Sequence, residues 1–468
     1  MSKKWVFLVI STALLFGAVN AWATASRLEA LGNQDLFLVD DTNAFVNPAA
    51  LNYYRDCLFI HMGGVRGGDF SAVGAISFKI GENGGLGIIA GGPIALGMIV
   101  QGSIYAVRAD AIFSGAFVDH FGVLPGNPPN DVDSTVNSGA NFLNPIGIIL
   151  DYKLGKTALG LGYFLMNGKK KDDIEAPPYN LKFDAEENAM IHAFVIGMSS
   201  RLGKMQPEAW FHWDPYWIRS KYDDDITDFE STEKLRGNRF YVGARLIYYL
   251  SDTLTVVPAV TYEHVGGHVD IDTDPNLTIS LLGHTFDVDD MKQQYKLDTV
   301  FAGVNMQYAT GGFFGLLVTG SVGLEWARFD RELEIDHTHF SETSGFPEDP
   351  TDTVPPVMRS FAAPVVKMGL EYWTNKTLCL RGGISTTTLV SSQVAKKDRK
   401  EVDGVKTADI TEVETVQSTQ AAVGMGLHFG TLLIDMVFGN FFLVGEDGSP
   451  ILGQGPNLFS NLDVKVKW

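Results

Sequence analysis

SNLDVKVKW, Ser460 to Trp468, sets Leu462, Val464, Val466 and Trp468 at alternate positions and Asn461, Asp463, Lys465 and Lys467 between them. Successive side chains of a strand point to opposite faces, so an extended backbone here is apolar on one side and charged on the other. A wall with lipid outside and a wet lumen inside needs that pattern in every strand. The fold therefore turns on whether the pattern recurs upstream.

It does. In FYVGARLIYYL, Phe240, Val242, Ala244, Leu246 and Tyr248 oppose Tyr241, Arg245 and Tyr249. In FGLLVTGSVGLEWA, Leu316, Val318, Val322, Leu324 and Trp326 oppose Thr319, Ser321, Gly323 and Glu325. In APVVKMGLEYW, Val366, Met368, Leu370 and Tyr372 oppose Lys367, Gly369 and Glu371. In AAVGMGLHF, Val423, Met425, Leu427 and Phe429 oppose Gly424, Gly426 and His428. The second sets mix small and charged residues, as a water-accessible lumen allows.

Connections separate a barrel from a sandwich. Tight links at 81–84, 154–156, 251–252, 310–312 and 374–376 alternate with long polar ones near 106–141, 167–187, 218–236, 265–295, 328–360, 387–416 and 441–459. Short turns on one rim and long loops on the other are the asymmetry of an outer-membrane barrel. The fold class predicted is all-β, a transmembrane antiparallel β-barrel. Counting hairpins back from Trp468 gives about 14 strands, starting near Gly97 to Tyr105, and about 16 if the glycine-rich runs from Cys57, Phe70 and Gly85 are wall and not plug.

Composition agrees. Fifty glycines in 468 residues and 11% aromatics suit a closed sheet that must bend and must meet lipid headgroups. A net charge of −19 repels phosphate backbones and excludes nucleic acid as a partner. Cys57 and Cys379 allow at most one disulfide and no metal cluster. MSKKWVFLVISTALLFGAVNAWATAS has the basic start, short apolar run and small residues of a secretory signal, with cleavage after Ala23 or Ala25. The chain then divides into a leader at 1–23, an N-terminal segment at 24–56 and a barrel at 57–468, placed in the outer membrane of a diderm bacterium.

The segment DDTNAFVNPAAL carries Asp40, Asp41, Asn43, Asn47, Pro48 and Ala49. Asn47 can cap a short helix that begins at Pro48. Buried carboxylates at Asp40 and Asp41 would need partners, for which Arg245, Lys367 and Arg381 are available. The longer stretch SRLEALGNQDLFLVDDTNAFVNPAAL resembles the N-terminal segment of FadL-type outer-membrane proteins and their PorV-like relatives, and EYWTNKTLCLRGGIS, Glu371 to Ser385, resembles a hairpin of the same group. A final strand ending on an aromatic, here Trp468, resembles the strand that barrel-insertion machinery reads. The resemblance implies a 14-strand barrel, a hatch-like N-terminal segment inside or at the mouth of the lumen, and either uptake of fatty-acid-like molecules or, in the PorV-like branch, secretion and surface attachment of protein partners. Lipid and lipopolysaccharide would surround it.

A site for an apolar ligand with an anionic head needs dry walls and a cation, which makes Arg245, Lys367 and Arg381, with Glu371 beside them, the lumen candidates. The alternative is that these cations balance Asp151, Glu263, Glu325, Glu371 and Asp435 in an internal ion network. EAWFHWDPYWI packs Trp210, Phe211, Trp213 and Trp217 into one run, predicted as a headgroup-level girdle. DIDTDPN, Asp270 to Asn276, has Pro275 where a calcium loop needs glycine, so no metal site is predicted. No nucleophile, base and orienter can be assembled, and neither an enzyme nor a cofactor is expected.

Overall fold

A strand that buries alternate side chains is stable only if its neighbours do the same and no edge is left open, and closure into a barrel meets both demands. The computed structural model describes residues 25–32, 34, 36–38, 43–64, 70–91, 144–176, 181–224, 229–273, 278–281, 284–287, 290–310, 315–336, 357–395, 410–444 and 461–468. The wall begins with β1 (Cys57–Gly64), β2 (Phe70–Ile80), β3 (Gly84–Gly91), β4 (Asn144–Leu154), β5 (Thr157–Ala176), β6 (Leu181–Ser200), β7 (Met205–Asp224), β8 (Phe229–Tyr249) and β9 (Leu254–Thr273). A small hairpin, β10 (Thr278–Leu281) with β11 (His284–Asp287), stands apart as its own two-stranded sheet. The wall resumes with β12 (Asp290–Thr310), β13 (Leu316–Asp336), β14 (Val357–Trp373), β15 (Leu378–Ala395), β16 (Ile410–Phe429), β17 (Leu432–Val444) and β18 (Asn461–Lys467).

These sixteen strands close as one antiparallel barrel, in which β12 pairs with β9 across the hairpin and β1 pairs with β18. Sixteen is the higher of the two counts and exceeds the 14 implied by the family resemblance, because the glycine-rich runs from Cys57, Phe70 and Gly85 are wall. The alternative start near Gly97 to Tyr105 lies outside the described residues. Cys57 and Cys379 are both buried and are not joined in a disulfide.

The face assignments follow the dyad. Ile148, Leu161, Phe240, Val242, Val322, Leu324, Met368 and Leu370 face outward and are exposed, while Arg245, Thr319, Glu371, Asp435 and Asp463 face inward and are buried. An exposed apolar surface that continues around a closed wall is a lipid contact surface, far beyond what a soluble monomer shows.

Several of the long connections are shorter than predicted, while 106–141 lies outside the described residues. Much of 167–187 and 218–236 is strand, and β5, β6 and β7 are each 20 residues long. At 3.3 Å per residue and a 45° tilt such a strand rises about 47 Å, nearly twice the ~25 Å apolar band of a barrel. The strands run on past the bilayer, where water bathes both faces and the dyad disappears from the sequence. Register still holds there, with Lys169 opposite Asn188 and Lys171 opposite Glu186.

Candidate functional site

The N-terminal segment sits inside the barrel at the short-turn end. Its pieces are α1 (Ala25–Ala30), α2 (Asn43–Val46) and a 3-10 helix (Pro48–Tyr53). Proline has no N–H to satisfy and a φ already suited to a first turn, so Asn47-Pro48 starts a helix readily. The Asn47 side chain accepts from the Ala49 N–H at 3.2 Å and donates to the Met198 carbonyl of β6 at 3.3 Å, which ties the cap to the wall.

Glycine makes the room. A Cβ at Gly160 would lie 2.2 Å from Ala49 N, one at Gly197 would lie 2.0 Å from Asn47 Oδ1, and one at Gly383 would lie 2.3 Å from Gly32 N. These inner-face glycines let the backbone of the plug lie against the backbone of the wall. Composition had suggested glycine for bending the sheet; at these positions its role is clearance.

Two charged anchors hold the plug. In the first, Arg27 Nε donates to Glu371 Oε2 at 2.5 Å, Arg381 Nε donates to the same oxygen at 2.8 Å, and Arg381 also pairs with Asp435. All four groups are nearly fully buried. Burial alone would lower the Arg27 pKa, but the Glu371 carboxylate held against it outweighs burial and raises it. In the second anchor, Arg245 donates to Glu208 Oε2 at 2.8 Å, to Asn43 Oδ1 at 2.8 Å and to the Leu36 carbonyl at 3.0 Å. Glu208 is completed by Ser199 Oγ at 3.0 Å and Gln206 Nε2 at 2.8 Å.

Polar ties fill in between. His212 Nε2 donates to the Val46 carbonyl at 2.7 Å. Gln34 Oε1 accepts from Asn305 Nδ2 at 2.7 Å and Thr319 Oγ1 at 2.9 Å. Around them Leu28, Leu31 and Leu38 pack together against Leu317, and Phe37 packs with Ile247, Val257 and Ala259. At this level the lumen is a packed core.

The lumen candidates fall on the inner wall as the dyad required. Arg381 and Glu371 pair with each other, Arg245 pairs with Glu208 and the plug, and Lys367 lies on the same face of β14 as Glu371, near Glu325. Asn43, Asn47, Pro48 and Ala49 are buried in the plug. Asp40 and Asp41, with their suggested pairing, lie outside the described residues. The girdle residues divide. Phe211 and Trp213 are 41% exposed on the outer face, and Trp217 shares their parity, whereas Trp210 turns inward, 4% exposed, over Gly243. Trp210 therefore leaves the girdle set, because it has the parity of Glu208 and His212.

Sequence reasoning missed Arg27, Gln34, Glu208, His212 and Asp463 as plug contacts. Applying the dyad to EAWFHWDPYWI would have put Glu208, Trp210, His212 and Asp214 on one face. Nothing local marks Arg27, whose partner is 344 residues away.

Two spaces adjoin this arrangement. One, of about 40 Å³, lies between plug and wall and is lined by Phe45, Leu51, Phe59, Ile76, Ile89 and Ile149 among others. The other, a cleft of about 310 Å³, lies across β7, β8 and β9 beside Tyr216, Trp217, Gly237, Asn238, Gly266 and Gly267.

No family model and no curated protein matches the chain. Among solved structures it is similar to the toluene transporter TodX of P. putida, at 11% identity over 96% of this chain and 99% of that one with a TM-score of 0.41. It is also similar to CdiB from Acinetobacter baumannii, at 9% identity over 88% of this chain and 60% of that one with a TM-score of 0.37. A third is the alcaligin receptor FauA from Bordetella pertussis, at 8% identity over 88% of this chain and 76% of that one with a TM-score of 0.34. None of these likenesses bears on what passes through the lumen.

Proposed function

We propose that the chain is a FadL-like transport barrel of the outer membrane that passes hydrophobic or amphipathic small molecules, with the N-terminal segment as its hatch. The observation that carries this reading is the fit of that segment into the short-turn mouth. A sixteen-strand wall left empty encloses an aqueous channel, and this one is filled by a separate, side-chain-anchored body that a wide hydrophilic pore would not contain. The apolar lining of the seam between plug and wall, at Leu51, Phe59, Ile89 and Ile149, supports a route for an apolar solute once the plug shifts, since the space there now is only about 40 Å³. The cleft beside Gly237 and Trp217 supports entry higher in the wall.

The test is uptake. Deleting Leu31 to Leu51 is expected to change the uptake of apolar solutes and to raise conductance in planar bilayers. Unchanged uptake of every apolar solute tried would remove the hatch role. A second reading, a PorV-like platform for secreted-protein partners, is favoured by the strands that run on past the bilayer. Stoichiometric co-purification of a protein would support the platform, and a co-purified lipid-like ligand the transporter.

A further inference from the structure

The start of α1 makes a contact that the plug's other anchors do not explain. The main-chain nitrogen of Ser26 lies 2.6 Å from Asp463 Oδ2, and the other oxygen of Asp463 is taken by His61 Nδ1. Ser26 and Asp463 are 0% exposed and His61 is 2% exposed. An ionised carboxylate draws any N–H donor closer than the roughly 2.9–3.0 Å of a neutral pair, a backbone amide as well as an ammonium, so the contact marks where a charge on this nitrogen would be felt.

Among the described residues, the neighbouring charges are directed elsewhere. Asp463 stands directly opposite Asp435 on the neighbouring strand. Arg381 is directed to Asp435, and Lys465, next on the same face, sets its ammonium over the ring of Tyr54 at 4.9 Å. A buried carboxylate is most stable when a full positive charge meets it, and a backbone N–H brings only a partial one. Ser26 Oγ is also buried and without a hydrogen-bond partner. An amide nitrogen brings one proton to this spot, and an ammonium brings three.

The sequence places a cleavage signal at the same bond. Ala23-Thr24-Ala25 is a small-x-small triplet whose cut falls between Ala25 and Ser26. The competing triplet, Ala21-Trp22-Ala23, would leave two further residues ahead of Ser26. We infer that the exported chain is processed at Ala25–Ser26 and that the new Ser26 ammonium is the ligand of Asp463, with His61 behind it. Water and a leader peptidase supply the step: the Ala25–Ser26 C–N bond is hydrolysed, oxygen goes to the Ala25 carboxylate, and the freed amine takes a proton. Processing then adds a second charge to the seat of α1, beside that of Arg27, which the precursor does not have.

Intact mass and N-terminal sequencing of protein purified from outer membranes test the first half. Ser26 as first residue is the expected result, and Thr24 in that place overturns the proposal. The second half is read by hydrogen exchange of the backbone amides from Arg27 to Gly32 in the full mature chain, refolded in detergent with a free or an acetylated Ser26. Acetylation is expected to speed exchange there at least tenfold, and Asp463→Asn to do the same while abolishing the difference between the two samples. Equal protection in free and acetylated protein would show that Asp463 merely caps an amide, and the acetylated sample keeps the test open should D463N fail to fold. Neither outcome bears on what the barrel transports.

Discussion

Glu371 stands between two buried guanidiniums, Arg27 of the plug and Arg381 of the wall. Removing one member of such a group leaves the others buried without countercharge, so Glu371→Gln is expected to destabilise the protein by about 3–5 kcal/mol, measured by urea unfolding in detergent or lipid. A loss below ~1 kcal/mol would mean that water already reaches these groups. Gly197→Val acts differently. Its Cβ would enter the space held by Asn47 Oδ1 and Pro48 Cδ, while the outer face of β6 stays unchanged. The wall should still form and the plug should sit ajar, which single-channel recording would register as more frequent or larger openings than in the native protein. The opposition of Glu371 and Arg381 to their lipid-facing neighbours was legible from parity alone. The capture of Arg27 by Glu371 was not, since ion pairing across 344 residues leaves no periodic trace.

Among elements, the 3-10 helix Pro48–Tyr53 was the one plug feature the sequence announced, through an asparagine followed by a proline. Asn47→Ala removes the cap and the tie to Met198, at a cost of about 1 kcal/mol to the local structure. The plug, more than the barrel, should become labile: limited proteolysis is expected to cut within 25–56 faster than in the native protein while heat modifiability on gels stays the same. Equal cutting rates would assign the hold on this segment to Arg245 and Arg27. The helix α1 had no comparable signal. Six residues are too few to show a 3.6-residue period, and ASRLEA is held in place by the far end of the chain.

Across the whole molecule, the outer belt decides where lipid begins. Leu161, 57% exposed on β5, and Ile148, 49% exposed on β4, lie within it. Arginine at Leu161 is expected to cost about 2–4 kcal/mol when the protein unfolds from a bilayer, the depth-dependent cost of a charge at mid-membrane. Lys169, further along the same strand and already paired with Glu186 at 2.7 Å, should accept either charge with little change. If both sites respond alike, the apolar band is taller than the strand lengths suggest. The belt was legible because lipid demands alternation; the strand extensions were hidden because water does not. Sixteen strands, and not 14, escaped firm counting because runs such as GGLGIIAGG have too few side chains to display a face.

The seam between β1 and β18 carries a consequence for the order of events in biogenesis. Trp468 donates its N–H to the Asp56 carbonyl and rests near Phe78, so the end of β18 locks against the first hairpin. The residues that seat α1, from Glu371 to Asp463, are made long after α1 itself has left the ribosome. Contacts so distant in sequence form slowly. The amino-terminal cork must therefore wait, undocked, until the carboxy-terminal staves arrive, and a chain truncated before β14 would have neither a shut seam nor a seat for its stopper.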